Sequence, residues 1–139
     1  MTKERVLSID FGEKHIGLAI SVPELKIPQP LQTIERKNLW KELEKIFSQY
    51  KIETVVVGLP LRTDGTETKF TLITRKFAKE LSSKFKVPVK LWDERFSTCE
   101  AESTLRMLGK QPSRNKEEID KLAAAIILED YLETLIPNR

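Results

Sequence analysis

The chain has 139 residues, of which 40% are hydrophobic and 32% charged, and its formal net charge is +3. That length suits a single domain, residues 1–139, with one hydrophobic core. No apolar run reaches the roughly 20 residues that span a membrane, and a single cysteine excludes an internal disulfide. We therefore expect a cytoplasmic protein with no membrane partner and a mild preference for anionic ligands.

The first element is a hairpin, VLSIDFGEKHIGLAIS, at residues 6–21. Two apolar strands are joined by a tight loop, and the first of them ends at Asp10. The alternation of side chains along a strand puts Val6, Ser8 and Asp10 on one face. Gly17, on the returning strand, is small enough for a ligand or a backbone to approach Asp10.

The rest of the chain alternates between strands and helices. The continuous apolar run at residues 54–58 suits a central strand, and Pro88 suits an edge strand. Asn38 and Asn115 are expected to cap helices, and Ser97 with Glu100 is expected to form a capping box. The order therefore predicts an α/β fold with a mixed five-stranded sheet, three antiparallel strands and then parallel strands, flanked by helices on both faces. The later elements are expected at residues 31–35, 54–58 and 87–92 for strands and 39–50, 70–85, 97–108 and 116–135 for helices.

Three carboxylates at the ends of elements suggest a metal site. Asp10 ends the first strand, Glu94 follows the last strand, and Asp120 lies in the first turns of the final helix. Ligand sites in open α/β sheets form outside the carboxyl ends of the strands. Partly buried acids would repel one another there unless cations lay between them. Ligation by oxygen alone favours one or two Mg²⁺ or Mn²⁺ ions over zinc.

Each acid also has a purely structural explanation. Asp10 would shape the turn that follows it, Glu94 would pair with a surface cation, and Asp120 would interact favourably with the helix N-terminus. Cations in nearby loops are ordinarily solvated, but as a set they would bind substrate phosphates, above all in the basic loop 109–116. The set consists of Lys14, Arg62, Arg95, Lys110 and Arg114.

Four motifs follow one another along the chain: IDFGEKHIGLAIS, GLPLRTDG, LWDERFSTCEA and EEIDKLAAAIILEDYL. In these stretches the chain resembles the YqgF family, the RuvX-type Holliday junction resolvases that are also described as pre-16S ribosomal RNA nucleases. The resemblance extends over about residues 5–135. It implies an RNase H-like fold and a metal-dependent triad of catalytic acids, Asp10, Glu94 and Asp120. Gly17 is one of the motif glycines and joins the expected substrate-binding set.

The expected function is that of a metal-dependent nuclease that processes the ends of pre-16S ribosomal RNA. Asp10 would bridge the metal ions, with Glu94 and Asp120 as outer ligands. Two alternatives stay open: a resolvase that cuts branched DNA as a dimer, and a non-catalytic nucleic-acid-binding or transcription factor. Because RNA trimming needs one cut and junction resolution needs two symmetric cuts, we expect a monomer or a weak homodimer.

Overall fold

Five strands form one mixed sheet in the computed structural model, which describes residues 4–23, 27–94, 97–111 and 114–135, without the side chains of residues 97–99. Their order across the sheet is β3-β2-β1-β4-β5. The first three strands pair antiparallel, and β1, β4 and β5 run parallel. This confirms the predicted mixed sheet and the edge position of its last strand. The strands are β1 (Arg5–Phe11), β2 (His15–Val22), β3 (Ile27–Glu35), β4 (Ile52–Leu59) and β5 (Val89–Asp93).

Helices cover both faces of the sheet, as predicted. On one face, α1 (Leu39–Gln49) and α2 (Lys69–Phe85) bury the larger core. On the other face, α4 (Lys116–Thr134) packs on the sheet, and α3 (Ser97–Met107) packs on α4. Within the described ranges, no helix has the length and apolar character that a bilayer crossing requires.

The third strand is longer than the sequence predicts, because it begins at Ile27 rather than Leu31. It runs through Pro28 and Pro30, which lack a backbone N–H. An edge strand tolerates this loss because only one of its sides is paired. The ladder with β2 is irregular at this place, where its register shifts between Leu18 and Ala19.

The helix caps differ from those predicted. Neither Asn38 nor Asn115 accepts a capping hydrogen bond through its side chain. A 3-10 turn over Arg36–Asn38 leads into α1 instead, and the Asn115 amide donates to the Gln111 carbonyl oxygen at 2.6 Å. The capping box predicted at Ser97 lies outside the described side chains.

The approach of α4 to the sheet is unusually close at Gly17. A methyl group built on Gly17 would overlap the carbonyl oxygen of Asp120, so the helix backbone rests directly on β2. Two hydroxyl groups of the sheet donate to helix carbonyls, Ser8 Oγ to Ala124 at 2.6 Å and Thr33 Oγ1 to Glu117 at 2.7 Å. These contacts fix how far α4 stands above the sheet, and therefore where its acid lies.

We expect Gly17→Ala to destabilise the protein by about 2–3 kcal/mol, because the added carbon meets a backbone atom that cannot rotate away. Thr33→Ala is the matched control, since Thr33 lies opposite Gly17 in the β2–β3 register and touches the same helix. Its loss of one exposed hydrogen bond should cost about 1 kcal/mol or less. Urea unfolding of both variants measures the difference, and equal losses would mean that α4 is not seated through Gly17.

Candidate active site

Asp10 and Glu94 meet at the edge of the sheet where three parallel strands end. Asp10 is the next-to-last residue of β1. Glu94 directly follows β5, and its backbone N–H donates to the Leu59 carbonyl at the end of β4, at 3.3 Å. The two side chains are hydrogen-bonded to each other. The predicted convergence of these two acids at the carboxyl ends of the strands is therefore present in the structure.

Space for the Glu94 side chain comes from Gly58 on β4. A methyl group built on Gly58 would lie 2.8 Å from Glu94 Oε2 and 2.7 Å from Ile127 Cδ1 on α4. Any larger residue would push either the carboxylate or the helix away from the sheet. Gly58 is thus the small residue that lets an acid and a helix share one face of the strand.

Asp120 is brought to the site by the close contact of α4 with the sheet. Its own carbonyl lies over Gly17, and Gly17 is the partner of Asp10 in the β1–β2 register. Asp120 is consequently near enough to Asp10 for the charge of one to raise the pKa of the other. The space over Gly17, which the sequence left open for a ligand or a backbone, is filled by this helix backbone.

All three acids hold their protons more tightly than usual. Burial is the main cause, and it raises the pKa of Glu94 to about 10, with further contributions from Asp10 and Asp93. Burial also raises the pKa of Asp10. The pKa of Asp120 rises to about 6 through burial and the charge of Asp10, against an opposing effect of His15. One proton is therefore held between Asp10 and Glu94 near neutral pH.

The chemistry of these donors fits a hard divalent cation. The site offers carboxylate oxygens in a place where burial and mutual repulsion both disfavour their charged forms. Among the described residues, no three Asp, Glu, His or Cys side chains stand close enough to form a ready-made metal cluster. The arrangement is a touching pair, Asp10 and Glu94, with Asp120 as an electrostatic neighbour. Oxygen donors of this kind suit Mg²⁺ or Mn²⁺.

A groove of about 770 Å³ opens beside Asp120. Its walls are the loop of the β1–β2 hairpin on one side and α3 with the start of α4 on the other. Three cations lie along it: Lys14 of the predicted substrate-binding set, Lys116 of the basic loop 109–116, and Arg106. The residues that line the groove are Gly12, Glu13, Lys14, His15, Glu102, Arg106, Gln111, Lys116, Ile119 and Asp120.

Arg106 is the cation of the groove that sequence reasoning missed. It follows the buried Leu105 on α3 and lies 3.5 Å from Glu102, one turn earlier. In the sequence this pair is typical of an ordinary solvated helix face. Only the packing of α3 against α4 brings Arg106 opposite the hairpin loop. The sequence contains no pattern that predicts how close these separate elements come to each other.

The other described cations of the predicted substrate-binding set do not line this groove. Lys110 forms an ion pair with Glu118, with Nζ–O distances of 3.2 and 2.9 Å. Arg114 lines a smaller pocket, of about 480 Å³, that also includes His15 and Lys116. Arg62 donates within its own loop, to Thr66 Oγ1 at 3.3 Å. Arg95 lies outside the described residues.

Comparisons with known proteins identify the family of the chain. The model of the RuvX family, described as a Holliday junction resolvase, matches residues 4–134. The chain belongs to the RuvX family. Relatives named "Putative pre-16S rRNA nuclease" occur in Koribacter versatilis, Mannheimia succiniciproducens and Escherichia coli O157:H7. They are 41%, 40% and 40% identical, over 93%, 91% and 92% of this chain and 86%, 93% and 95% of theirs.

Solved structures show which fold the RuvX chain shares. Thermus thermophilus RuvC in complex with a Holliday junction substrate is similar with a TM-score of 0.59 and 16% identity, over 97% of each chain. A second structure of RuvC from that organism gives a TM-score of 0.57 at 16% identity, over 94% of this chain and 95% of that chain. At this identity the likeness concerns the fold, and it confirms the expected RNase H-like architecture.

We expect the metal-free protein to lose stability as the pH rises. The pKa of Glu94 is raised from its ordinary value of 4.5 to about 10, so the folded state binds more protons than the unfolded state between these values. The stabilisation is complete below the lower pKa and is lost as the pH approaches the upper one, with a slope of up to about 1.4 kcal/mol per pH unit.

Urea unfolding in a chelator at pH 5, 7 and 9 tests this expectation. Glu94→Gln should flatten the pH dependence and be more stable than the wild type at pH 9. Glu129→Gln, which removes an exposed acid of α4, should leave the slope unchanged. A wild-type slope that survives in Glu94→Gln would assign the bound proton to another group.

Proposed function

We propose that the protein is a metal-dependent nuclease that hydrolyses phosphodiester bonds, with Asp10, Glu94 and Asp120 as its catalytic acids. The observation that carries this proposal is the burial of Asp10 against Glu94 at the carboxyl end of the sheet. Such a pair costs folding stability, so a structural role alone is a poor explanation for it. Membership of the RuvX family supports the same activity.

In this proposal Asp10 and Glu94 hold Mg²⁺ or Mn²⁺, and Asp120 lies next to them at the mouth of the groove. When bound, such an ion supplies Lewis acidity towards a phosphate oxygen and the positive charge that lets neighbouring carboxylates ionise together. Gly58 and Gly17 keep the acids in place by admitting Glu94 and the α4 backbone.

The groove beside Asp120 is proposed to hold the nucleic acid strand next to the scissile bond. Lys14, Arg106 and Lys116 provide positive charge along it, and they would position phosphates without reading bases. Lys110, Arg114 and Arg95 remain proposed as further phosphate contacts of the adjacent loops. Lys110 would first have to leave Glu118, to which it is paired.

The proposed substrate is RNA, with the ends of pre-16S ribosomal RNA as its target in the cytoplasm. The names of relatives at 40–41% identity support this choice. One acid cluster per chain makes one cut, which suits trimming by a monomer. The description of the family as a Holliday junction resolvase supports a second candidate, in which a dimer cuts branched DNA symmetrically.

We expect Asp10→Asn and Asp120→Asn each to lower the cleavage rate by about 1000-fold with Mg²⁺ or Mn²⁺, because each removes a charge from the metal site. Asp130→Asn is the matched control, since Asp130 is an exposed acid of the same helix, and it should cleave normally. Excess EDTA should abolish cleavage by the wild type. Wild-type rates in both site variants would falsify the assignment, and a wild type that binds RNA without cutting it would favour the non-catalytic alternative.

A comparison of two substrates separates the candidate functions. One preparation is assayed on a precursor of 16S ribosomal RNA and on a four-way DNA junction, and its mass is measured by light scattering. We expect cleavage of the RNA by a monomer or weak dimer, with loss of activity in Asp10→Asn. A stable dimer that makes paired symmetric nicks in the junction and leaves the RNA intact would establish the resolvase instead.

A further inference from the structure

The outer edge of β5 carries backbone groups that no strand of the described chain pairs with. On the inner side, the Pro88 carbonyl accepts from Val55 at 3.0 Å, and the Glu94 N–H donates to Leu59 at 3.3 Å. In a strand the N–H and C=O of one residue point to the same side, and successive residues alternate. Even-numbered residues of β5 therefore face β4, and Val89 and Leu91 present their N–H and C=O groups outwards.

A groove of about 620 Å³ lies between this edge and α2. The side chains of Val89 and Leu91 line it, opposite Leu72 of α2. Leu72 is 61% exposed and Leu91 37% exposed, so a strip of apolar surface follows the open edge. This surface offers both backbone hydrogen bonds and apolar contacts. We call it the edge strip; it consists of Val89, Leu91, Leu72 and three lysines, Lys76, Lys79 and Lys90.

The charge of the edge strip is positive. Lys76 and Lys79 of α2 line the same groove, and neither forms an ion pair with any residue in the described ranges. Arg75 also lines it, but its guanidinium is held by Glu67 at 2.8 and 3.0 Å. Lys90, exposed on the opposite face of β5, adds a further cation at the edge.

We propose that the edge strip binds an extended segment of a partner protein in which acidic and apolar residues are mixed, and that this segment adds a strand to β5. The open N–H and C=O groups of Val89 and Leu91 would pair with its backbone. Leu72 and Leu91 would receive its apolar side chains, and Lys79 with Lys90 would pair with its acids. This combination of open backbone, leucines and lysines is what such a segment complements.

Two other occupants fit less well. A second copy paired through the same edge would bring Lys79 and Lys90 close to their own counterparts, and like charges across a strand pair are destabilising. A nucleic acid would need phosphate contacts along its length, whereas the centre of the strip is apolar. The side chains of Val89 and Leu91 also lie on the α2 face, opposite the face that carries Asp10, so the strip is separate from the proposed catalytic groove.

The test measures binding of a fluorescein-labelled, eight-residue peptide in which pairs of Glu alternate with pairs of Val or Leu, so that each face of the added strand carries both acids and apolar side chains, by fluorescence anisotropy with the full chain. A peptide with Lys in place of Glu is its control. We expect Lys79→Glu to weaken binding at least about 10-fold, and Lys41→Glu, the same charge change on α1, to leave it within about 2-fold. Nuclease activity should not change in either variant.

A second pair of variants tests the backbone pairing. Leu91→Pro removes an outward N–H and leaves the bonds to β4 in place, whereas Leu91→Ala removes only the side chain. We expect the proline variant to bind the peptide at least about 3-fold more weakly than the alanine variant. If the proline variant does not fold, the comparison of Lys79→Glu with Lys41→Glu decides alone.

Four results would overturn the proposal. The acidic peptide could fail to bind, or bind equally to the two lysine variants. A short single-stranded RNA could bind with an affinity that Lys79→Glu abolishes, which would make the strip a nucleic-acid surface. Light scattering could show a dimer that dissociates in Lys79→Glu, which would make it an interface between copies of this chain.

Discussion

The site depends on one steric constraint, the contact between the α4 backbone and Gly17. A helix normally stands off a sheet by the thickness of the side chains between them, and here one of those side chains is missing. The residues of α4 that follow on the buried side of the helix are also small, since Ala123 and Ala124 are fully buried there. The acid of α4 therefore comes close to Asp10, which belongs to the strand beside Gly17. With ordinary residues at these positions the acids would stand apart.

Stability and chemistry are divided between the two faces of the sheet. The face under α1 and α2 holds the larger core, in which Phe11 stacks on Phe77 with 4.4 Å between ring centroids and Phe47 on Phe85 with 4.0 Å. The α4 face has less apolar surface to bury and carries acids whose charged forms are disfavoured. The aromatic core offsets the cost of the acids, since buried aromatic pairs stabilise beyond the area they remove from water. Phe11 follows Asp10 directly, so neighbouring residues of β1 contribute to the aromatic core on one face of the sheet and to the acid site on the other.

The sequence was most informative where a local pattern determines the outcome. Alternation along β1 predicted that Asp10 shares one face with Val6 and Ser8, and the apolar run at residues 54–58 indicated a central strand; both are present in the structure. Distances between elements carry no such pattern. Arg106 enters the groove through the packing of α3, and Lys110 finds Glu118 across a loop. The capping hydrogen bonds predicted for Asn38 and Asn115 are absent. Asn38 belongs to a 3-10 turn that leads into α1, and the side chain of Asn115 donates to the Gln111 carbonyl oxygen instead.

The position of β5 at the end of the sheet links Glu94, the proposed catalytic acid, to the open edge. Glu94 follows the carboxyl end of β5, and the hydrogen bond from its N–H to the Leu59 carbonyl at the end of β4 anchors that end of the strand on one side. No further strand of the described chain pairs with its other side, which leaves an edge with an exposed leucine and a tendency to pair with other chains. Natural edge strands limit such pairing by being short and by carrying lysine, and β5 has five residues, of which Lys90 is the second. These features discourage a second copy of a basic chain, but they do not discourage an acidic strand. The charge that protects this edge from self-association is therefore the same charge that selects its partner.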